Sequence, residues 1–282
     1  MSDPAEKMER ELAQFEARLK EDPRDQEALL HKGGLLLRQK KYDKAWKAYE
    51  DLVEVEPRHP FAHIGLGYIL LIRGEFAESE NKFRLALEID PSNAEAHVAL
   101  GWRCYDHGKL IEAMNEFLRA IEINQMIDGA HEGMGFVHLD LKENDKALAE
   151  FEEAIRINPH NAGAFVGLGN YRMELKELDA AESAYKTALR ISEFDDSAYF
   201  GLGHIARVKG LLEEANQWYQ KGIDVNPKIP WGYISKALIY QHLGETKAAI
   251  EAFRKADEYL FDGPVREKVR SRIAELSSLL AK

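Results

Sequence analysis

Residues 61–91 read FAHIGLGYILLIRGEFAESENKFRLALEIDP, and residues 94–125 repeat the phrasing as AEAHVALGWRCYDHGKLIEAMNEFLRAIEINQ. Leu66-Gly67 answers to Leu100-Gly101, Gly74-Glu75-Phe76 to Gly108-Lys109-Leu110, and Phe83 and Ala86 to Phe117 and Ala120. Within each stretch apolar residues recur at three- and four-residue spacing, the helical period, and a glycine interrupts the middle. Each stretch therefore reads as two helices joined by a tight turn.

The same phrase extends in both directions. Pro23, Pro57, Pro91, Pro159 and Pro227 stand on a 34-residue ladder, with Gln125, Glu193 and Phe261 on its other rungs. A fixed period of that size predicts a solenoid, in which each unit stacks on the next and buries what it cannot bury alone. Seven blocks follow: Gln26–Pro57, Phe61–Pro91, Ala94–Gln125, Asp128–Pro159, Ala162–Glu193, Asp196–Pro227 and Pro230–Phe261.

Three columns run through the blocks. Glycine recurs at Gly33, Gly67, Gly101, Gly135, Gly169 and Gly203, at about 1 kcal/mol each against alanine in a helix. Such a cost calls for close packing. The small column Ala45, Ser79, Ala113, Ala147, Ala181, Ala215 and Ala249 is expected to bring the second helix tight against the first. Rings at Tyr49, Phe83, Phe117, Phe151, Tyr185, Tyr219 and Phe253 are expected to fill the space between blocks. At the joints, proline ends one helix and Asn93 or Asn161 offers a cap to the next.

With these residues in place the sequence resembles the tetratricopeptide repeat family over about residues 26–261. It departs from the pattern at Gln125, Glu193 and Phe261 for proline, and at Lys32 and Lys236 in the leucine column of Leu66, Leu100, Leu168 and Leu202. The resemblance implies an all-α, right-handed superhelical solenoid whose first helices line a concave face. Residues 1–25 are expected to form an N-terminal capping helix with the stripe Met8, Leu12, Phe15 and Leu19, and residues 262–282 a C-terminal cap with Val269, Ile273, Leu276 and Leu280 inward.

Composition narrows the function. With 38 basic against 49 acidic residues the net charge is −11, which works against nucleic acid and anionic membrane. The apolar runs are too short to span a bilayer. Cys104 is the single cysteine and fits a reducing compartment. The charged start MSDPAEKMERELAQF lacks a secretory pattern, so a cytoplasmic location is expected.

The expected working surface is the first-helix face. Its candidate partner-binding residues are Ile64, Tyr68, Leu71, Val98, Trp102, Tyr105, Phe136, Leu139, Val166, Asn170, Met173, Phe200 and His204. The face starts aromatic and turns polar toward the C-terminal blocks, where Arg207 follows His204. Asp106, Asp140 and Glu174 offer an acidic edge, suited to a hydrophobic partner segment with basic flanks. A second small column, Gly65, Ala99, Gly133, Gly167, Gly201 and Ser235, has two readings. Neighbouring rings occupy that space, or the groove floor is cleared for a partner's backbone. The lysine, asparagine and arginine set with which some members of the family clamp a C-terminal carboxylate is missing: those columns hold Leu30, Gly34, Gly65, Glu95 and Ala99.

Other motifs carry less. Gly201-Leu-Gly-His-Ile-Ala206 matches a dinucleotide fingerprint but falls inside an expected helix. His63, His97 and His131 share a packing column with Phe165, Tyr199 and Tyr233, and helices 8–10 Å apart would not let them converge on one metal ion. Cys104 reads as an inert core thiol. Arg266, Lys268, Arg270 and Arg272 read as a solvated face. The sequence thus predicts a noncatalytic adaptor, scaffold or chaperone for proteins, with no cofactor or metal. Two alternatives stand beside it: a scaffold that self-assembles through its groove as a homo-oligomer, and a regulatory subunit docking an enzyme through its convex face.

Overall fold

The computed structural model describes residues 4–260 and 262–280, and among them there are sixteen helices and no strand. Phe261, the last rung of the ladder, lies outside the described residues. The chain forms two compact units, one ending at Val137 and one beginning at His138.

The first unit holds α1 (Pro4–Glu21) and then the pairs α2 (Gln26–Arg38) with α3 (Tyr42–Val55), α4 (Pro60–Arg73) with α5 (Phe76–Ile89), and α6 (Ala94–Asp106) with α7 (Leu110–Ile123). The division between the units falls inside α8 (Asp128–Asp140). The second unit continues with α9 (Asn144–Ile157), α10 (Ala162–Glu174), α11 (Leu178–Ile191), α12 (Asp196–Val208), α13 (Leu212–Val225), α14 (Pro230–His242), α15 (Thr246–Tyr259) and α16 (Pro264–Leu280).

Helix starts follow local chemistry. Asp25, Asn93, Asn161 and Asp195 each accept, through a side-chain oxygen, a hydrogen bond from the backbone N–H three residues on, satisfying a donor the helix cannot pair itself. Within pairs the turn needs a left-handed residue, supplied by Gly74, Gly108, Gly210 and Gly244 and, at the same position elsewhere, by Lys40, Lys142 and Lys176.

The glycine columns have a more specific cause than the one expected. It is the ring of the second helix, rather than its alanine, that lies on the glycine. Tyr49 is only 4% exposed and sits between two first helices. A Cβ added at Gly33 of its own pair would fall 2.7 Å from the ring, and one at Gly65 of the next pair 2.3 Å. Phe117 stands likewise between Gly101 and Gly133, and Tyr185 between Gly169 and Gly201. The second small column is therefore the other jaw of the ring's slot, and in the second unit its members Gly201 and Ser235 also line a cleft. Burial of each ring contributes about 1.5–3 kcal/mol, enough to offset both glycines. The alanine column is fully buried beneath, and the exception, Ser79, satisfies its hydroxyl by donating to the Gly67 carbonyl at 2.8 Å.

The end helices extend the packing with local changes. Leu12 packs beside Leu36 and Tyr49, and Leu19 beside Leu29 and Leu52. Phe15, in phase with the ring column, meets His31 where that column otherwise has a small residue, and the two stack at 5.1 Å. In α16, Val269 and Leu276 are buried against Phe253 and Ala249, with Ile273 partly buried beside them. Leu280 departs from the expected inner face: it is 48% exposed, beside Leu279 at 57%.

Two neighbouring glycines separate the slot from general helix propensity. Gly34 has only the Tyr49 hydroxyl within reach, at 3.8 Å. Gly34→Ala is expected to stabilise the chain by up to about 1 kcal/mol, and Gly65→Ala to destabilise it by about 1–3 kcal/mol through overpacking. Thermal denaturation of both variants checks the opposite signs.

Candidate functional site

Each ring slot fixes the rotation of its first helix, and so decides which residues remain on the outer face. In the first unit Tyr68, Trp102 and Phe136 share that register, and all three are half-buried. Tyr68 meets Phe83 edge-on at 5.3 Å, and burial pushes its hydroxyl up to about 12. Trp102 is a hub, in edge-to-face contact with Phe117 at 5.5 Å, Phe136 at 5.7 Å and Tyr105 at 5.7 Å. Such pairs add about 0.5–1.5 kcal/mol each beyond area burial. These rings form a buttressed wall with exposed edges, with Leu71 half-buried beside Tyr68.

Four of the expected face residues do not line it. Ile64, Val98, Leu139 and Val166 are 5%, 8%, 6% and 4% exposed. Each is covered by its own neighbours, since Phe200 in the Ile64 column and Leu71 in the Leu139 column stay half-buried; Ile64 packs with Phe83 and Leu100, and Val98 with Phe117 and Ala130.

In the second unit the face opens. Asn170, Phe200, His204, Arg207, Trp231 and Leu238 border a cleft of about 540 Å³. Asn170 accepts a hydrogen bond from the Tyr185 hydroxyl at 2.7 Å, so the ring beneath positions it. Phe200 is half-buried, resting where Gly222 and Gly232 leave room. His204 is exposed, its imidazole held below the ordinary range by desolvation and then by the Arg207 charge. Met173 is half-buried and does not border the cleft.

Trp231 and Leu238 are 54% and 51% exposed, so the face does not simply turn polar toward the C-terminal end as expected. The signal for both was available. Leu238 continues the column Tyr68, Trp102, Phe136, Asn170, His204 by one more period, and Trp231 stands where earlier blocks place Gly129, Gly163 and Ser197.

The acidic edge is largely spoken for. Asp106 accepts from Arg103 at 2.8 Å and Glu174 from Lys142 at 2.6 Å, while Asp140 is exposed. The remaining motifs have structural roles. His63 and His97 donate through Nε2 to the carbonyls of Pro57 and Pro91, six residues back, and the Tyr233 hydroxyl does the same to Pro227. Among the described residues no three His, Cys, Asp or Glu side chains are gathered to hold a metal ion. The Gly201–Ala206 fingerprint lies within α12. Cys104 is half-buried rather than fully in the core, and burial, then Glu112 and Glu116, raise its thiol. Arg266 and Arg270 both donate to Asp257, so part of the basic run secures α16 to α15. No helix among the described residues is long and apolar enough to cross a membrane.

Helix pairs packed by interlocking rings, with an ordered outer face on the first helices, define a protein–protein interaction module. Sequence profiles described as tetratricopeptide repeat match residues 12–53 and 35–94, residues 138–207, and residues 196–229 and 232–259. The chain belongs to the tetratricopeptide repeat family, whose fold is generally noncatalytic and whose members bind protein partners.

No curated protein matches the chain. Among solved structures it is similar to a chain of the APC/C hetero-tetramer Cut9–Hcn1, with a TM-score of 0.76 at 16% identity, covering 93% of this chain and 52% of that one. It is also similar to human IFIT1, with a TM-score of 0.72 at 18% identity over 89% and 63% of the two chains. Yeast Tom70 gives a TM-score of 0.60 at 16% identity over 98% and 60%. The chain spans about half the length of the Cut9–Hcn1 chain it matches. Identities this low establish the shared all-α solenoid fold.

Buttressed and open positions should respond differently to truncation. Trp102→Ala is expected to cost about 2–4 kcal/mol of stability, whereas Leu238→Ser should stay within about 0.5 kcal/mol. Denaturation midpoints of the two variants check the contrast.

Proposed function

We propose that the chain is a noncatalytic adaptor that captures a hydrophobic peptide segment on its first-helix face, with the primary contact in the second unit. The observation that carries this reading is the cleft beside Phe200, where Trp231 and Leu238 are more than half exposed next to hydrogen-bonding side chains. Exposed tryptophan beside polar groups is the composition of an interface anchor. Asn170, His204 and Arg207 would bind a peptide backbone or polar side chain while the apolar side chain rests on Trp231 and Leu238. Arg207 disfavours a basic residue at that point, and the pairing of Asp106 and Glu174 leaves little to attract basic flanks. The half-buried rings Tyr68, Trp102, Tyr105 and Phe136 form a secondary apolar surface in the first unit.

The test is affinity capture with full-length protein and with Trp231→Ala/Leu238→Ser, followed by titration of the captured segment. Loss of at least roughly tenfold in affinity with unchanged thermal stability is expected. Undiminished binding would refute the assignment.

A second reading, self-assembly, is favoured by one observation: Leu279 and Leu280 are exposed at the end of α16. A concentration-dependent oligomer by light scattering that reverts to monomer in Leu279→Ser/Leu280→Ser would support it.

A further inference from the structure

A second cleft, of about 780 Å³, lies on the other side of the second unit, between α11 and α13. Its centre is a ring pair: Tyr199 of α12 stacks on Trp218 of α13 at 6.0 Å and 29°. Three periods earlier the same two columns hold His97 and Glu116, joined at 2.7 Å. Where the third block has a hydrogen-bonded histidine–glutamate pair, the sixth has two half-buried aromatic rings bordering open space. Tyr199 shares its column with Phe165 and Tyr233, whereas Trp218 stands where earlier blocks place Lys82, Glu116, Glu150 and Ala184.

The charges around the rings are unevenly matched. Asp179 and Glu182 line one end, and both are engaged: Lys209 donates to them at 2.9 and 2.8 Å, and Lys186 to Glu182 at 2.6 Å. At the other end Arg190 donates to the Thr187 hydroxyl, and the Lys221 ammonium lies 4.2 Å from the Trp218 ring centroid. Among the described residues neither cation has a carboxylate partner within ion-pairing distance. In a chain of net charge −11, two cations without a carboxylate partner, beside a cleft that also presents Leu189, Tyr199 and Trp218, are positioned for an anion from outside.

We propose that this cleft docks an acidic peptide segment of a protein partner, with carboxylates on Arg190 and Lys221 and an apolar side chain against Leu189 and the Tyr199–Trp218 pair. The Trp218 ring is in contact with both Tyr199 and Lys221, which reduces the face open to a stacking nucleobase. A polyphosphate backbone carries its charge continuously and meets Asp179 and Glu182 as well as the two cations. Carboxylates spaced by apolar residues are placed at the Arg190 and Lys221 end alone. The cleft shares α11, α12 and α13 with the Trp231 cleft but none of its lining side chains, so one chain would bridge two partners.

The experiment is fluorescence anisotropy on the full chain with a labelled peptide of alternating glutamate and leucine, compared with a lysine–leucine peptide and an oligouridylate of similar length. The glutamate peptide is expected to bind with a Kd below about 1 mM, more weakly as salt is raised. It should lose roughly tenfold in Arg190→Glu/Lys221→Glu, and Arg190→Ala/Lys221→Ala gives the same direction without reversed charge. The Trp231→Ala/Leu238→Ser variant should bind it unchanged. No binding, binding indifferent to both cation variants, loss in the Trp231/Leu238 variant, or equal or tighter binding of the oligouridylate would each overturn the proposal.

Discussion

Tyr49, Phe117 and Tyr185 each lie in a slot between the backbones of two successive first helices, and the remainder of the molecule is arranged around contacts of this kind. A ring can enter only where both helices present no side chain, or almost none, so two columns of small residues are required rather than one. Tyr49 between Gly33 and Gly65 shows the geometry. The contact joins each pair internally and joins it to the next, which is why a unit of two helices that could not bury its own apolar face becomes stable in a stack.

The slot also sets what the outside of the first helices shows. Once Gly67 and Gly101 are turned onto Phe83 and Phe117, the residues immediately after them, Tyr68 and Trp102, are brought to the edge of the same rings. They gain edge-to-face support and lose half their exposure. Where that position is occupied by Asn170, His204 or Leu238, no ring fills the space and a cleft remains. The aromatic stretch and the open stretch of the face are thus alternative outcomes of one packing rule.

Charge follows a similar logic of local neutralisation. Lys209 takes Asp179 and Glu182, Lys142 takes Glu174, and Arg266 and Arg270 take Asp257. Exposed pairs of this kind contribute little stability individually. Their effect is selective: they decide which charges are still available to a partner. Among the described cations without a carboxylate partner are Arg207 beside one cleft and Arg190 with Lys221 beside another, on a chain whose total charge is negative.

Period, columns and caps were legible in the residues because each is a local or strictly periodic constraint: a glycine that must accept a ring, an asparagine that must cap a helix, a proline that must end one. Those positions give the helix pairs and the family without reference to coordinates. Exposure is not periodic. Ile64 and Val98 share the helical spacing of a face residue yet are buried, because a rotation of less than one residue separates core from surface on an α-helix. Leu238 and Trp231 stood in the right columns, but their accessibility depends on which side chains the neighbouring helices place beside them. Likewise Arg266 reaches Asp257 from 9 residues away and Lys209 reaches Glu182 from 27, brought within reach only when the helices dock. The sequence by itself determined the repeat and its packing rule; the tertiary structure alone decided which apolar rings and which charges are left without a neighbour, since that depends on contacts between residues that the period does not relate.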